Sequence, residues 1–390
     1  MQDTRYLIIG GGLTADAACR GIRDVDPNGK IVLVAEEPHP PYARPPLSKA
    51  LWKGDDEDTI WRGTEKLGVD MRLGRRIVGL DLEAKVAVDG HGTNYRYERV
   101  LLATGGRPRR LPFGGDEVIY FRTLDDYRHL RALADQAASF VVIGGGFIGS
   151  EIAAALALND CPVKMVFPEP GIGARIFPAS LSAALNDYYR DRGVELVPRS
   201  SVAGIERGHV VLGDGQKLEA AAIVAGLGIE PNVELAVAAG LPVKNGIVVD
   251  AFGRAGSRDD VFAAGDVARF PVAGLGSDLR VEHEDHAKNH GEQVGANMAG
   301  ADRPYDHLPF FYSDLFDLGY EAVGELDPRL DTLADRDELG VGKNIYYYRD
   351  SDRRPRGILL WNVFGQVDAA RELIRAGEPV ERGALAAHVA

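Results

Sequence analysis

Two short phrases in this chain carry the residue types that bind a dinucleotide. Gly10, Gly12 and Ala15 fill the pattern G-x-G-x-x-G/A once, and Gly144, Gly146 and Gly149 fill it again. In this pattern the first small residue permits a tight turn and the second lets backbone approach a pyrophosphate. The third allows close packing of helix on strand. A helix beginning there turns free N–H groups and partial positive charge toward phosphate. An acid follows each phrase by roughly 20 residues, a spacing that suits a carboxylate accepting hydrogen bonds from ribose hydroxyls. These acids are Glu36 and Glu169. Glu169 would repel a 2′-phosphate, so NADH is expected over NADPH. One glycine motif alone is weak evidence. Two copies, each with strand, helix and terminal acid, point to two bound dinucleotides.

Other reactive side chains need separate readings. The second helix carries Glu151 near its start, where the first has Asp16 and then small residues. The helix dipole alone favours a carboxylate at that end. His283, His286 and His290 share one helical face, a spacing that zinc ligands can use. Cys19 lies among alanines and Cys161 precedes Pro162. No CxxC or CxxxxC pair exists, which excludes a dithiol built on adjacent cysteines. Cys19 is expected to be packed rather than reactive. No catalytic triad, P-loop lysine or paired-carboxylate hydrolase signature is present.

The elements that must position these groups repeat as well. RYLII leads into the first glycines and ADAACRGIR follows as a helix; SFVVI and SEIAAALAL do the same for the second. IVLVAEE and VKMVFPE then read as strands closed by the acids. Farther on, VAVDGHGTNYRYERVLLATGG reads as a hairpin, a second strand and a strand ending in glycine, and VVLGDGQKLEAAAIVAGLG repeats the layout. Asp89-Gly90 and Asp214-Gly215 are hairpin-turn signals. From about residue 305 the chain is richer in aromatics, with strands NIYYYRD and GILLWNV. A short amphipathic helix follows with Val367, Ala370, Leu373 and Ile374 on one face, ended by Gly377 and Pro379.

The bulk numbers narrow the function classes. At 390 residues the chain has room for two or three domains. Its 45% apolar and 26% charged residues are ordinary for a globular protein. A net charge of −13 disfavours nonspecific binding to nucleic acid or anionic membrane. Local basic spots remain at Arg107, Arg109 and Arg110, and at Arg353, Arg354 and Arg356. Two cysteines and no signal-peptide layout fit a cytoplasmic location, and no apolar stretch is long enough for a membrane span.

The pair of dinucleotide units, the strand end Ala103-Thr104-Gly105 and the segment Ala264-Gly265-Asp266 resemble the two-dinucleotide-binding-domain flavoproteins. Within that superfamily, PYARPPLSKALW, LLATGGRPRRLP, VVIGGGFIGSE, AGLGIEPNVEL, RVEHEDHA and GILLWNVF resemble the apoptosis-inducing factor branch. NADH-dependent ferredoxin reductases of oxygenase systems are its near relatives. The likeness runs from the first strand to about residue 380, and Asp285-His286-Ala287 tips it toward the apoptosis-inducing factor branch. The resemblance implies an α/β fold of two Rossmann-like domains in a glutathione-reductase-like arrangement, plus a C-terminal α+β domain. Residues 1–113 and 246–304 would form a discontinuous FAD-binding domain, 114–245 the NADH-binding domain and 305–390 the third. The chain is too short for the targeting segment and long insertions of eukaryotic relatives. A compact prokaryotic-type version is expected, without a death-signalling role.

The resemblance also implies roles residue by residue. Asp266 would hydrogen-bond the ribityl chain, and Arg44 and Arg109 would contact FAD. Glu282 and His283 would flank the isoalloxazine, which displaces the zinc reading; His290 is left to a structural role. Lys49 would pair with Glu151 beside the flavin, and Phe147 would cover the flavin face until nicotinamide displaces it. Tyr312 stands where relatives more often have Trp, so it keeps an aromatic face and adds a hydroxyl. Thr104, Gly105 and Gly228 lie at strand ends that serve the cofactors, and Arg175 is a candidate for the adenine. The expected activity is an FAD-dependent NADH oxidoreductase that hands electrons directly to ferredoxin, quinone or oxygen. The alternatives are a ferredoxin reductase of an oxygenase system, or a slow NADH-responsive sensor acting through partners or a homodimer.

Overall fold

The computed structural model describes residues 2–272, 276–337 and 340–385. They form two compact units. The first comprises Met1–Ala43, Asp58–Arg107 and Glu230–Pro309, and the second Arg44–Glu57, Pro108–Ile229 and Phe310–Ala390.

In the first unit the strand Gln2–Ile9 runs down the middle of a seven-stranded sheet. Its last residues are apolar on both faces and buried, as a parallel strand covered on both sides requires. Ile31–Val34 and Asn94–Leu102 flank it in parallel. The expected second and third strands of the meander are one strand of nine residues, Asn94–Leu102. Its start pairs antiparallel with the hairpin strand Val86–Asp89, and its end pairs parallel with Val261–Ala263. One continuous strand results because each half has its own partner. In the hairpin turn the left-handed residue is Gly92 rather than Gly90. Asp89 organises that turn, accepting from the N–H groups of His91 and Thr93 and from the hydroxyl of Tyr95. Burial opposes its charge, yet these donors hold its carboxyl down at about 2.

The helix Leu13–Val25 covers this sheet and packs against the helix Glu284–Met298. Glycines set the approach. A Cβ on Gly21 would lie 1.9 Å from the carbonyl oxygen of Glu292, and one on Gly295 would lie 2.2 Å from that of Ala18. The two backbones therefore touch along this seam, and Cys19 is sealed beside it.

Among the described residues, three sheets lie within the second unit. Five parallel strands run in the order Val194–Pro198, Val163–Phe167, Phe140–Ile143, Ala222–Ala225 and Val118–Tyr120. The antiparallel meander Val202–Glu206, His209–Leu212 and Lys217–Glu219 forms its own sheet, unlike its counterpart in the first unit. The third is a five-stranded antiparallel sheet ordered Phe310–Leu315, Leu318–Gly324, Pro355–Trp361, Asn344–Arg349 and Asp331–Ala334. The helix Val367–Ala376 follows it and ends at Gly377, which has φ +63°. Ala370 and Ile374 of the expected apolar face are buried.

The proline-rich segment 44–57 is separated from the chain on either side of it. It packs within the second unit. Trp52 meets Tyr127 edge-on at 5.6 Å, and the guanidinium of Arg131 lies 5.4 Å from the Trp52 ring. Asn159 donates to the Trp52 carbonyl, and Arg44 donates to the Arg122 carbonyl at 2.8 Å. Short, proline-stiffened turns cannot form a core alone, so their tertiary contacts decide where they belong.

Gly295→Ala is expected to destabilise the protein by about 2 kcal/mol, in the range for overpacking against backbone that cannot move aside. The urea midpoint should fall with unchanged slope; a wild-type midpoint would show that the seam can open freely.

Candidate functional site

The doubled motif is doubled in three dimensions. Gly10 has φ +135° and Gly144 has φ +114°, conformations that favour glycine. A Cβ on Gly10 would lie 2.1 Å from the Ala103 carbonyl oxygen, and one on Gly144 would lie 2.4 Å from the Gly226 carbonyl oxygen. In both units the first glycine thus closes against the residue following a neighbouring parallel strand. The second glycine is the opposite case. A Cβ on Gly12 or Gly146 would meet nothing within 4 Å among the described residues, so each turn is open at its front. Gly12 and Gly146 are also the N-caps of their helices, and neither helix start has a side-chain cap. Open space before uncapped N–H groups is what a pyrophosphate fits. The third positions differ: a Cβ on Gly149 would fall 1.9 Å from the Gly144 carbonyl oxygen, whereas Ala15 is accommodated, fully buried.

Several predicted residues gather around the first turn. A Cβ on Gly265 would lie 2.1 Å from Thr14 Oγ1, which puts the short 3-10 turn carrying Asp266 against the first glycine helix. Arg280 donates to the Asp266 carbonyl and to Glu282. Thr104 Oγ1 donates to the Asn232 carbonyl, and the Asn232 amide returns a bond to the Thr104 carbonyl, both at 2.8 Å. The Asn232 backbone N–H also binds the Gly105 carbonyl. Sequence reasoning missed Asn232; the signal was its place in AGLGIEPNVEL. Glu36 is exposed with Arg76 3.6 Å away. Asp16 is wholly buried and has a structural task, accepting from Arg20, Arg62 and Thr64.

In the second unit, Glu151 is the fifth residue of the helix Phe147–Leu158, past the turn where the dipole acts most strongly. Its contacts are specific instead. Lys49 Nζ lies 2.7 Å from Oε2, with the two side chains 10% and 4% exposed. Ser48 donates to Oε2 at 2.6 Å and Ser313 to Oε1 at 2.5 Å. Lys49 Nζ also stands 5.7 Å from the centre of the Tyr312 ring. Around the carboxylate, burial and the nearby Glu151 charge push the phenols of Tyr189 and Tyr320 far up. Phe147, the first residue of the helix, is 41% exposed and leans edge-on against Phe311 at 5.4 Å. Tyr312 is 37% exposed. An ion pair, two open aromatic rings and a phosphate-type turn thus lie on neighbouring residues. Such a set can orient a flat ring and tune charge beside it. Ser48 and Ser313 were missed because a serine has no sequence signature for this role.

The remaining residues have local partners. Arg175 holds Glu169 through Nε at 2.6 Å, so the expected ribose acid and adenine residue are paired with each other. The Arg109 N–H donates to the Gly228 carbonyl at 2.9 Å, and Gly228 has φ +81°. The basic spot at 107–110 is reduced, because Arg107 is paired with Glu230 and Glu234 and Arg110 lies over Tyr120. Both cysteines are buried, and burial pushes each thiol up, away from the reactive thiolate.

The histidine segment is a neutral stack. His286 lies flat on Phe270 at 4.3 Å and contacts the Tyr305 hydroxyl at 3.0 Å. His290 packs on His286 and Tyr305, and its Nδ1 accepts from the Gly265 N–H. Burial pushes His290 down to about 3 and His283 to about 4, the latter against the pull of Asp266 and Asp285. Among the described residues no cluster of metal-ligating groups occurs, and no helix is long and apolar enough to cross a membrane.

Comparisons with known proteins match this layout. A family model described as Pyridine nucleotide-disulphide oxidoreductase matches residues 4–291. A second, Apoptosis-inducing factor, mitochondrion-associated, C-term, matches residues 294–338. The chain is 34% identical to the ferredoxin--NAD(+) reductase component of the anthranilate 1,2-dioxygenase system of Burkholderia cepacia, covering 97% of this chain and 95% of the relative. It is also 34% identical to monodehydroascorbate reductase 2 of Arabidopsis thaliana, covering 98% and 92%. Among solved structures, the covalent putidaredoxin reductase–putidaredoxin complex matches with a TM-score of 0.90 and 28% identity, covering 99% of each chain.

The His290 environment yields a pH prediction. Its folded value of about 3 lies below the ordinary value of about 6.5, so the unfolded chain binds the proton first. Stability is then full above about pH 6.5 and is lost as pH falls toward 3. Between pH 7.5 and pH 5 this residue alone should remove about 2 kcal/mol. Urea titrations at the two pH values should show that drop, and His290→Gln should reduce it. An equal drop in the variant would remove His290 as its source.

Proposed function

The chain belongs to the pyridine nucleotide-disulphide oxidoreductase family, and from that premise we propose that electrons from NADH leave its flavin directly for a ferredoxin-type protein. It is an FAD-dependent NADH oxidoreductase of apoptosis-inducing factor type. Bound FAD supplies the ring that accepts hydride and releases electrons.

The residues divide the work. Gly10, Gly12 and Ala15 would cradle the FAD pyrophosphate, with Glu36 at the ribose and Asp266 at the ribityl chain. Thr104, Gly105, Arg44, Arg109, Glu282 and His283 would complete the FAD contacts. Gly144, Gly146, Gly149 and Gly228 would hold NADH, with Glu169 at its ribose and Arg175 released onto the adenine. Phe147 would shield the reacting face until nicotinamide displaces its exposed ring. Lys49, fixed by Glu151 and the Tyr312 ring, would set the positive charge beside the hydride path.

The observation carrying this reading is the buried Lys49–Glu151 pair, one helical turn after the second glycine turn. The direct exit of electrons rests on the cysteines: both thiols are buried and held protonated, so neither suits relay chemistry. The ferredoxin-type acceptor is supported by the likeness to the ferredoxin--NAD(+) reductase component of Burkholderia cepacia and to putidaredoxin reductase in complex with putidaredoxin. A second reading, a slow NADH-responsive flavoprotein, is favoured by the apoptosis-inducing factor match at residues 294–338.

Glu151→Ala should lower the limiting rate of flavin reduction about 100-fold, with NADH affinity within a few-fold of wild type. Stopped-flow rates equal to wild type would dispose of the reading. The acceptor is tested by anaerobic NADH titration followed by a panel of ferredoxin, monodehydroascorbate radical, quinone and oxygen. Ferredoxin should be reduced at least about tenfold faster than oxygen. A long-lived reduced-flavin–NAD⁺ complex, inert to ferredoxin and changing size on gel filtration, would establish the sensor reading in its place.

A further inference from the structure

We propose that Ser313 and Ser48 are positioning residues that hold the Glu151 carboxylate, and through it the Lys49 ammonium, in one fixed arrangement. This rests on the reading of the Lys49–Glu151 pair as the group that sets charge at the hydride path. The physical argument begins with burial. A carboxylate and an ammonium taken out of water lose several kcal/mol of hydration each, and their mutual attraction offsets this only when further hydrogen bonds satisfy the remaining lone pairs. Glu151 is 4% exposed and has two oxygens to satisfy. Lys49 meets Oε2 at 2.7 Å. Ser313, 1% exposed, supplies the donor at Oε1, and Ser48 adds a second at Oε2. A hydroxyl has one proton to donate, and for Ser48 the carboxylate at 2.6 Å is a nearer acceptor than the Pro45 carbonyl at 3.4 Å.

The arrangement also draws on three stretches of chain. Ser48 and Lys49 come from the proline-rich segment, Glu151 from the glycine helix, and Ser313 from the strand Phe310–Leu315. Tyr312 and Ser313 are adjacent on that strand. One holds the lysine against its ring and the other holds the glutamate, so the strand grips both members of the pair. The strand is fixed in turn at its far end. Phe316, buried at φ +61°, wedges edge-on against Tyr188 and Tyr189, and the Tyr189 hydroxyl donates to the Ser150 carbonyl beside Glu151. Without the Ser313 donor, Oε1 loses the hydroxyl that holds it, and the carboxylate is free to rotate away from Lys49.

The test is a double-mutant cycle in the FAD-loaded protein, read three ways: limiting rate of flavin reduction, flavin midpoint potential, and urea midpoint. Ser313→Ala should slow reduction about tenfold at unchanged NADH affinity and shift the midpoint potential in the same direction as Glu151→Gln. In the Glu151→Gln background the same substitution should add nothing to either effect, and its effect on the urea midpoint should shrink. Ser48→Ala should behave likewise through the other oxygen, and Ser313→Thr should restore the donor and the potential. Additive effects of Ser313→Ala and Glu151→Gln on rate and potential would overturn the proposal. So would a Ser313→Ala potential equal to wild type. If Glu151→Gln itself left rate and potential unchanged, the reading of the ion pair would fail first, and the urea cycle would still report whether the serines hold the carboxylate.

Discussion

A charged carboxylate in a dry place constrains its surroundings more than any apolar contact does. Glu151 is such a group, and the second unit is arranged so that it is satisfied. A proline-stiffened segment, a helix and a strand of the C-terminal sheet each bring a donor or the acceptor itself. Removing one partner leaves the others with an unpaired buried charge, which costs far more than a surface pair would. The aromatic rings of Phe147 and Tyr312 stay open to their surroundings while the ionic groups beside them are enclosed. Charge is therefore held still where a ring can approach.

A second constraint is the contact between backbone and backbone. At Gly10 and Gly144 a carbonyl stands where a side chain would be, and the helix seam at Gly21 and Gly295 repeats this on a larger scale. These contacts bring the helix starts close to the strand ends and leave Gly12 and Gly146 facing open space. The same geometry in both units makes each a ready phosphate site. What differs is the residue one turn on: Asp16 is used to hold Arg62 and Thr64, while Glu151 is used to hold Lys49. One carboxylate braces a loop and the other fixes a buried ammonium.

The C-terminal sheet then has two tasks. Its own core of Tyr320, Tyr347, Tyr348 and Trp361 makes it a stable body. Its first strand reaches the ion pair through Tyr312 and Ser313, and its hairpin tip is pinned at Phe316. Both cysteines are sealed, and burial pushes their thiols up, away from the reactive thiolate.

Much of this was written in the sequence. The glycine spacing, the apolar runs before each turn and the acids after them are local patterns, and short-range geometry makes them readable one residue at a time. The resemblance of PYARPPLSKALW and VVIGGGFIGSE to one flavoprotein branch implies Lys49 and Glu151 as partners, and they stand 2.7 Å apart. Other features depended on contacts distant in sequence, and only the tertiary structure decided them. Residues 44–57 lie with the second unit because Trp52 and Arg44 find their partners there. The strand Asn94–Leu102 is continuous because two different neighbours pair with its halves. Ser48 and Ser313 meet Glu151 through hydrogen bonds that no local pattern encodes. Local chemistry sets which turns and helices form, but which donor meets which buried acceptor is settled only when the chain closes on itself.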